Sequence, residues 1–156
     1  MLNNLTILTP SVIDIDESKK IGNAFFISPN QPTSVHKAVE QLAYYFKREF
    51  EFDFVQYTVY EDKNNPKCDA YLWVDNTWEG PVAIGATVFR FHGDVGAQKK
   101  WSMEWVWFHP YYRNKGLLSG AWKNFKKKYG KDYLLEPPLS KAMEAFVKKM
   151  KGKENE

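Results

Sequence analysis

Residues 101–129 read WSMEWVWFHP (101–110), YYRNKG (111–116) and LLSGAWKNFKKKY (117–129), and this stretch decides the fold. Its first part is rich in aromatic and β-branched residues, which favour a strand, and Pro110 should end that strand because proline has no amide hydrogen for the ladder. Its last part has apolar residues at helical spacings, with lysines on the other faces and in the last turn, where cations suit the helix dipole. The sequence therefore predicts a strand, a turn and a helix.

The turn between these two elements is basic and contains glycine: Arg113, Asn114, Lys115 and Gly116. At the start of a helix the first backbone amides have no partner within the helix, and the positive end of the dipole favours an anion. Two cationic side chains at the same place add to this field. We predict that the turn binds a phosphate or a pyrophosphate.

The length and composition predict one domain over residues 1–150 and a frayed, charged tail over 151–156. Cys68 is the only cysteine, so an intramolecular disulfide is excluded, and His36, His92 and His109 are too scattered for a metal site. The chain lacks a signal-peptide pattern and a long apolar run, so we expect a cytoplasmic protein without a membrane partner.

The net charge of +3 conceals an uneven distribution. Residues 1–98 contain 8 basic and 13 acidic side chains, a net charge of −5, whereas residues 99–156 contain 14 and 6, a net charge of +8. The basic part includes the predicted anion-binding turn. Such a field attracts a polyanion, which leaves a nucleotide cofactor and a nucleic acid as alternatives.

The pattern upstream changes from helical to alternating. It predicts a first strand over 5–15 that Pro10 interrupts, and a helix over 35–50 capped by Thr33 or Ser34. Further strands are predicted over 54–60, 70–74 and 81–91, joined by short turns that favour antiparallel neighbours. After the basic helix we expect a short strand over 132–135 and a last helix over 140–150.

This order of elements, together with the turn, resembles the GNAT superfamily of N-acetyltransferases. In that family an Arg/Gln-x-x-Gly-x-Gly/Ala turn follows the fourth strand, and here Arg113–Leu118 matches it after the lead-in Phe108–Tyr112. The resemblance implies an α/β (α+β) fold with a mixed, mostly antiparallel sheet flanked by helices. The family's usual C-terminal strand pair is missing, so the acceptor site is either open or completed by a second subunit in a homodimer.

The resemblance also implies that acetyl-CoA is the co-substrate. Lys123, Lys126 or Lys127 would meet the ribose phosphate, and the pantetheine arm would pair with the fourth strand, which places the thioester near Glu104 and Trp105. The implied cofactor-binding residues are Val106, Trp107, Phe108, Arg113, Asn114, Lys115, Gly116, Leu117, Leu118 and Ser119.

Two positions depart from the family pattern. Leu118 stands where the family prefers glycine or alanine. If Ala142 is aligned with the family's last helix, Phe146 takes the position of a tyrosine that protonates the leaving thiolate, and phenylalanine has no proton to give.

Direct transfer to an amine needs a base, because only a neutral amine attacks a thioester. The resemblance suggests Glu104, whose apolar neighbours Met103 and Trp105 would raise its pKa. Glu136 is the second candidate, since Leu135–Pro138 is similar to an acidic stretch of the cohesion acetyltransferases. For Glu104 the alternative is a solvent-facing strand residue, and for Glu136 it is helix electrostatics.

The sequence therefore favours an N-acetyltransferase that moves an acetyl group from acetyl-CoA to a primary amine on a small molecule or a protein. The alternative is a non-catalytic module on the same fold that binds CoA or a nucleic acid, and a nucleic acid is the less favoured of these partners.

Overall fold

Six strands in the described part of the chain form one sheet in sequential order. The computed structural model describes residues 7–93, 100–130, 134–135 and 141–154. Each strand from β1 to β4 pairs antiparallel with the next strand, and β6 pairs parallel with β5. The predicted mixed, mostly antiparallel sheet is confirmed. The strands are β1 Lys20–Ile21, β2 Ala24–Ile27, β3 Cys68–Thr77, β4 Gly80–His92, β5 Lys100–Phe108 and β6 Leu134–Leu135.

Helices cover both faces of this sheet. They are α1 Thr33–Phe50, α2 Val59–Asp62, α3 Ser119–Tyr129 and α4 Lys141–Glu154. The apolar stripe of α1 packs on one face, where Leu72, Val88 and Trp105 are buried. The apolar faces of α3 and α4 pack on the other, against Trp73 and Phe89. Among the residues that the structure describes, no helix combines the length and the apolar character that a membrane crossing requires.

The start of α1 differs from the prediction. The helix begins at Thr33, and its N-cap is Pro32, which makes no side-chain capping bond. The Pro32 carbonyl instead accepts from the amides of Val35 and His36. Proline suits this position because its ring fixes φ near the value that the chain needs there, so neither Thr33 nor Ser34 is the cap.

The predicted strand over 54–60 is wrong. Residues 59–62 form the short helix α2, because Thr58 caps it: the Thr58 hydroxyl accepts from the Glu61 amide, and the Asp62 carboxylate accepts from the Thr58 amide. This reciprocal capping outweighs the β-propensity of Tyr57 and Val59. The first predicted strand is also wrong, because residues 7–15 form only one isolated β-bridge, between Ser11 and Val82.

The last helix is longer than predicted. It begins at Lys141 and continues to Glu154, so it includes most of the segment that we predicted as a frayed tail. Lysines in the last turn interact favourably with the negative end of the helix dipole, which extends the helix past Met150.

Candidate active site

The turn between β5 and α3 exposes its backbone amides. Asn114 and Gly116 have φ values of 61° and 79°, in the left-handed region that asparagine and glycine tolerate best. Residues 114–116 are exposed, and a Cβ on Gly116 would meet only the Ser119 hydroxyl, at 3.5 Å. Within the described part of the chain, the backbone amides of residues 114–119 donate to no backbone or side-chain acceptor. The turn therefore offers a group of donors that an anion can reach.

The Arg113 side chain points away from this opening. Its Nη1 and Nη2 atoms lie 3.0 and 2.6 Å from the carboxylate of Glu49, in the last turn of α1. Its Nε donates to the Phe108 carbonyl at 2.8 Å, and the guanidinium lies over the Trp107 ring. Three donors of the guanidinium are thus committed to the protein, so the structure gives Arg113 a position at the back of the turn.

Other predicted contacts lie around the opening. Lys115 is exposed, with its ammonium 4.8 Å from the centre of the Tyr111 ring. Ser119 donates its hydroxyl to the Gly116 carbonyl, and Leu117 and Leu118 are half-buried against the α3 side of the core. The side chains of the two leucines therefore contribute packing, and only their backbone faces the opening. On α3, Lys123 and Lys127 are exposed, and Lys126 lies over the Trp122 ring.

Among the residues that the structure describes, no strand pairs with the outer edge of β5 next to the turn. In the described ranges β6 pairs with β5 only at Ser102 and Met103. The His109 amide donates to Ile84 of β4, and because strand residues alternate, the backbone groups of Val106 and Phe108 point the other way. The Phe108 carbonyl is occupied by Arg113, which leaves Val106 as the main open pairing position. Trp107 is 2% exposed, so its side chain belongs to the core.

Glu104 lies where this open edge begins. Its neighbours pair with β4 as Met103 with Phe89 and Trp105 with Val88, so Glu104 is the extra residue of a β-bulge. Met103 packs on the α3 side and Trp105 on the α1 side. The bulge is a local irregularity of the kind that turns a side chain out of its regular alternation.

A histidine contacts the Glu104 carboxylate. His92 Nε2 lies 2.9 Å from Glu104 Oε1, and the two side chains are 40% and 11% exposed. An ionised carboxylate only accepts hydrogen bonds, so the imidazole donates through Nε2. The pair connects a largely buried carboxylate with a group that reaches solvent. The hydrogen bond holds the carboxylate in one orientation.

The connection between α1 and α2 packs on the α1 side of the sheet. Arg90 is two residues before His92 on β4 and shares its face. Its guanidinium binds the Asp62 carboxylate at 2.8 Å and the Gln56 carbonyl at 2.9 Å. Phe52 stacks on Phe46, which lies against Trp105. Phe52 and Gln56 are therefore anchored to Phe46 and Arg90.

The structure separates Phe146 from Glu104 and does not test Glu136. Glu136 lies outside the described residues, so its role remains a prediction. Phe146 packs edge-on against Trp122, with ring centres 5.0 Å apart, on the α3 side of the sheet. The Tyr129 hydroxyl is also on that side, where it bonds to Asp69 at 2.7 Å. The structure therefore brings neither aromatic side chain to the carboxylate.

Two residues at the site were missing from the sequence analysis. No sequence motif surrounds His92. The signal that could identify it is the hairpin register, which pairs the end of β4 with the first half of β5, where Glu104 lies. Glu49 gave no signal, because a glutamate in the last turn of an amphipathic helix is ordinarily a solvated residue.

Comparison with known proteins supports the fold. No protein-family model matches the chain, and no curated protein has a significant sequence match. Solved structures do match. The xEco2 acetyltransferase domain bound to a CoA conjugate has a TM-score of 0.52 and 14% identity, over 81% of this chain and 85% of that one.

Two further structures align over a similar span. An aminoglycoside acetyltransferase from an uncultured soil sample, in complex with trehalose, has a TM-score of 0.54 and 9% identity, over 83% of this chain and 84% of that one. A variant of a Bacillus halodurans protein has a TM-score of 0.54 and 10% identity, over 81% and 90%. Together with the open β5 edge and the exposed turn, these alignments show that the chain has the fold of the GNAT acetyltransferases.

Proposed function

We propose that this protein transfers an acetyl group from acetyl-CoA directly to a primary amine. The observation that carries the proposal is the position of Glu104: a largely buried carboxylate, bonded to His92, at the point where the described pairing of β5 with β6 stops. A base at that point would lie next to the expected position of the thioester. The fold supports acyl transfer in general, and the acetyl donor and the amine acceptor are inferred from the residues.

The chain's residues fit the co-substrate. The amides of residues 114–119 suit a pyrophosphate, because they precede or begin α3 and, within the described part of the chain, donate to no backbone carbonyl; residues 114–116 are also exposed. Lys115 adds an exposed positive charge, and Lys123 and Lys127 suit the ribose phosphate. Val106 offers outward backbone groups to the amides of the pantetheine arm.

Glu104 would act as the base. Acetyl-CoA supplies a thioester carbonyl, and the acceptor supplies an amine that is an ammonium ion at neutral pH. Glu104 takes one proton from the ammonium nitrogen, so that the nitrogen lone pair forms the new bond to the acetyl carbon as the carbon–sulfur bond breaks. Glu104 holds that proton until the products leave and then releases it to solvent. The sulfur departs with its bonding electrons as a thiolate and takes the second proton from the acylated nitrogen, which leaves a neutral amide and a thiol.

The lack of a tyrosine at the last helix is compatible with this scheme. A thiol has a pKa of about 8.5, so a thiolate departs with less help from an acid than an alkoxide would need. A relay through the protein's own cysteine is disfavoured, because burial raises the pKa of the Cys68 thiol to about 12. The raised pKa of Cys68 therefore favours one-step transfer over an acyl-enzyme on this cysteine.

The second candidate function is binding without catalysis. Phe146 in place of the family's tyrosine favours it, and the exposed lysines of α3 favour a nucleic acid as one possible partner. Such a protein would keep the turn and the open edge and would have no use for a base at position 104.

Two measurements separate these functions. Thermal unfolding with acetyl-CoA, with CoA and with a duplex oligonucleotide identifies the ligand, because only a bound ligand raises the melting temperature. Thiol release with a panel of primary amines then tests transfer. Stabilisation by CoA with amine-dependent thiol release is the expected result. Stabilisation by CoA without thiol release above hydrolysis would establish the binding module, and stabilisation by the duplex alone would overturn both CoA-based functions.

A further inference from the structure

Glu49 is the centre of a hydrogen-bonded group behind the anion-binding turn. Its carboxylate accepts from Trp107 Nε1 at 2.9 Å and from both terminal nitrogens of Arg113, at 3.0 and 2.6 Å. Its side chain is 24% exposed. A carboxylate that accepts a two-pronged arginine contact and an indole donor at once is held in one orientation, and it holds its donors in turn.

Arg113 is fixed from two further directions. Its Nε donates to the Phe108 carbonyl, and its guanidinium lies 5.6 Å from the centre of the Trp107 ring. The contacts to Glu49 join α1 to the first residue of the turn across 64 positions of sequence. The turn therefore starts from a residue whose side chain is locked between β5 and α1.

This arrangement has an electrostatic consequence. The Glu49 carboxylate compensates the charge of Arg113, and the guanidinium spends three of its five donors on the protein. The attraction of the turn for a diphosphate then depends on the amides that follow Arg113 and on Lys115. Those amides are useful only while the left-handed residues Asn114 and Gly116 keep their conformation.

We propose that Glu49 is a positioning residue for the CoA site: by holding Arg113 in place, it keeps the amides of residues 114–119 in the arrangement that binds the diphosphate. The inference rests on the proposed function, because it assumes that CoA binds at this turn. Glu49 would thus act on the turn from α1, a helix that lies 64 positions away in the sequence.

A model in which Arg113 itself binds the phosphate predicts the opposite change in CoA affinity. If the Arg113 guanidinium were itself a phosphate ligand, Glu49 would compete with the phosphate, and removing the Glu49 charge would strengthen CoA binding. If Glu49 positions the turn, removing its charge weakens CoA binding.

The test is isothermal titration of CoA into the wild-type chain, Glu49→Gln, Arg113→Gln and the double variant, with Glu61→Gln as the control. Glu61 is an exposed carboxylate on α2, so its variant makes the same change in charge away from the turn. We expect Glu49→Gln to weaken binding about tenfold, as loss of a charge-assisted contact in a coupled network does. The double variant should bind no more weakly than Arg113→Gln, and Glu61→Gln should bind like the wild type.

Arg113→Lys provides a second test that keeps the positive charge. A lysine binds phosphate well but cannot make the two-pronged contact with Glu49, so we expect weaker CoA binding although the charge is retained. This variant also decides the question if Glu49→Gln does not fold, which thermal unfolding would reveal. Unchanged or tighter binding in Glu49→Gln, or wild-type affinity in Arg113→Lys, would overturn the positioning role.

Failure of the two proposals can be told apart. If the wild-type chain does not bind CoA, the proposed function and the role of Glu49 both fall. If the wild-type chain binds CoA and Glu49→Gln binds it equally well, only the role of Glu49 falls.

Discussion

His92 Nε2 donates to Glu104 Oε1 over 2.9 Å, and this contact joins the end of β4 to the bulge of β5. Twelve residues separate the two in sequence, and the antiparallel register brings them together. A carboxylate that is 11% exposed thereby gains a partner that is 40% exposed. The contact holds the Glu104 carboxylate in one orientation at this point of the sheet.

Replacement of Glu104 by glutamine should remove transfer while leaving CoA binding intact. Glutamine keeps the size of the side chain and an acceptor oxygen for His92 but cannot take a proton, so kcat should fall by about 100- to 10,000-fold. The CoA dissociation constant should change by less than about threefold, a small difference in free energy. Steady-state thiol release and titration calorimetry measure the two quantities, and Glu61→Gln is the control. A kcat within about threefold of the wild type would show that Glu104 is not the base.

Charge at position 116 should decide CoA binding. Asparagine and aspartate have nearly the same size, and both tolerate the left-handed φ of 79° that Gly116 adopts. Gly116→Asp places a carboxylate where we expect the diphosphate, so it should abolish the CoA-dependent rise in melting temperature. Gly116→Asn should retain most of that rise. Equal responses of the two variants in a thermal unfolding assay would mean that the diphosphate binds elsewhere.

Phe146 should act only through packing. Its ring contacts Trp122 on the α3 side, away from Glu104, so Phe146→Ala should lower the free energy of unfolding by about 2–3 kcal/mol, somewhat below the loss for a fully buried phenylalanine. Denaturant unfolding measures this loss, and the CoA affinity of the folded variant should be unchanged. Phe146→Tyr should alter kcat by less than about threefold. A gain of tenfold or more in Phe146→Tyr would place this residue at the leaving group after all.

The buried histidine of α1 should make stability fall in mild acid. Burial lowers the pKa of His36, whose ring nitrogens lie 2.8 Å from the Tyr57 hydroxyl and 3.1 Å from the Ser28 carbonyl. The unfolded chain therefore takes up a proton at a higher pH than the folded chain. The free energy of unfolding should decrease as the pH falls below about 6.5, the value of the unfolded side chain, towards the lower pKa of the folded state.

Urea unfolding of the wild type and of His36→Gln between about pH 7 and about pH 5 tests this expectation. The variant should be less stable at the higher pH and should lose less stability on acidification. His109, whose pKa burial also lowers, contributes the same slope to both proteins. Parallel profiles for the two proteins would contradict the assignment to His36.

Cys68 should react slowly in the folded protein. Its pKa of about 12 results first from burial, and only the thiolate attacks a disulfide reagent. At about pH 8 the native thiol should react at least about 100-fold more slowly than the same thiol in urea, where its pKa is about 8.5. Absorbance of the released chromophore follows both reactions. Comparable rates would indicate an accessible thiol and would reopen a covalent mechanism.

The local elements around the site were predictable from the sequence. The strand over 101–109, the turn at Gly116 and the basic helix are each specified by periodicity, by proline and glycine, and by lysine placement within about a dozen neighbouring residues. The strands over 70–74 and 81–91 were predicted for the same reason. Where capping by side chains competed with strand propensity, at Thr58 and Asp62, the local pattern gave the wrong element.

By itself, the sequence determined the order of elements over residues 70–129 and the exposed, glycine-containing turn, because these depend on contacts between close neighbours. Only the tertiary structure decided that Glu104 occupies a bulge beside His92, that Phe146 faces the other side of the sheet, and that Arg113 is held by Glu49. Each of these facts depends on strand register or on helix docking. Register and docking are set by the packing of the whole core, which no short stretch of the chain contains.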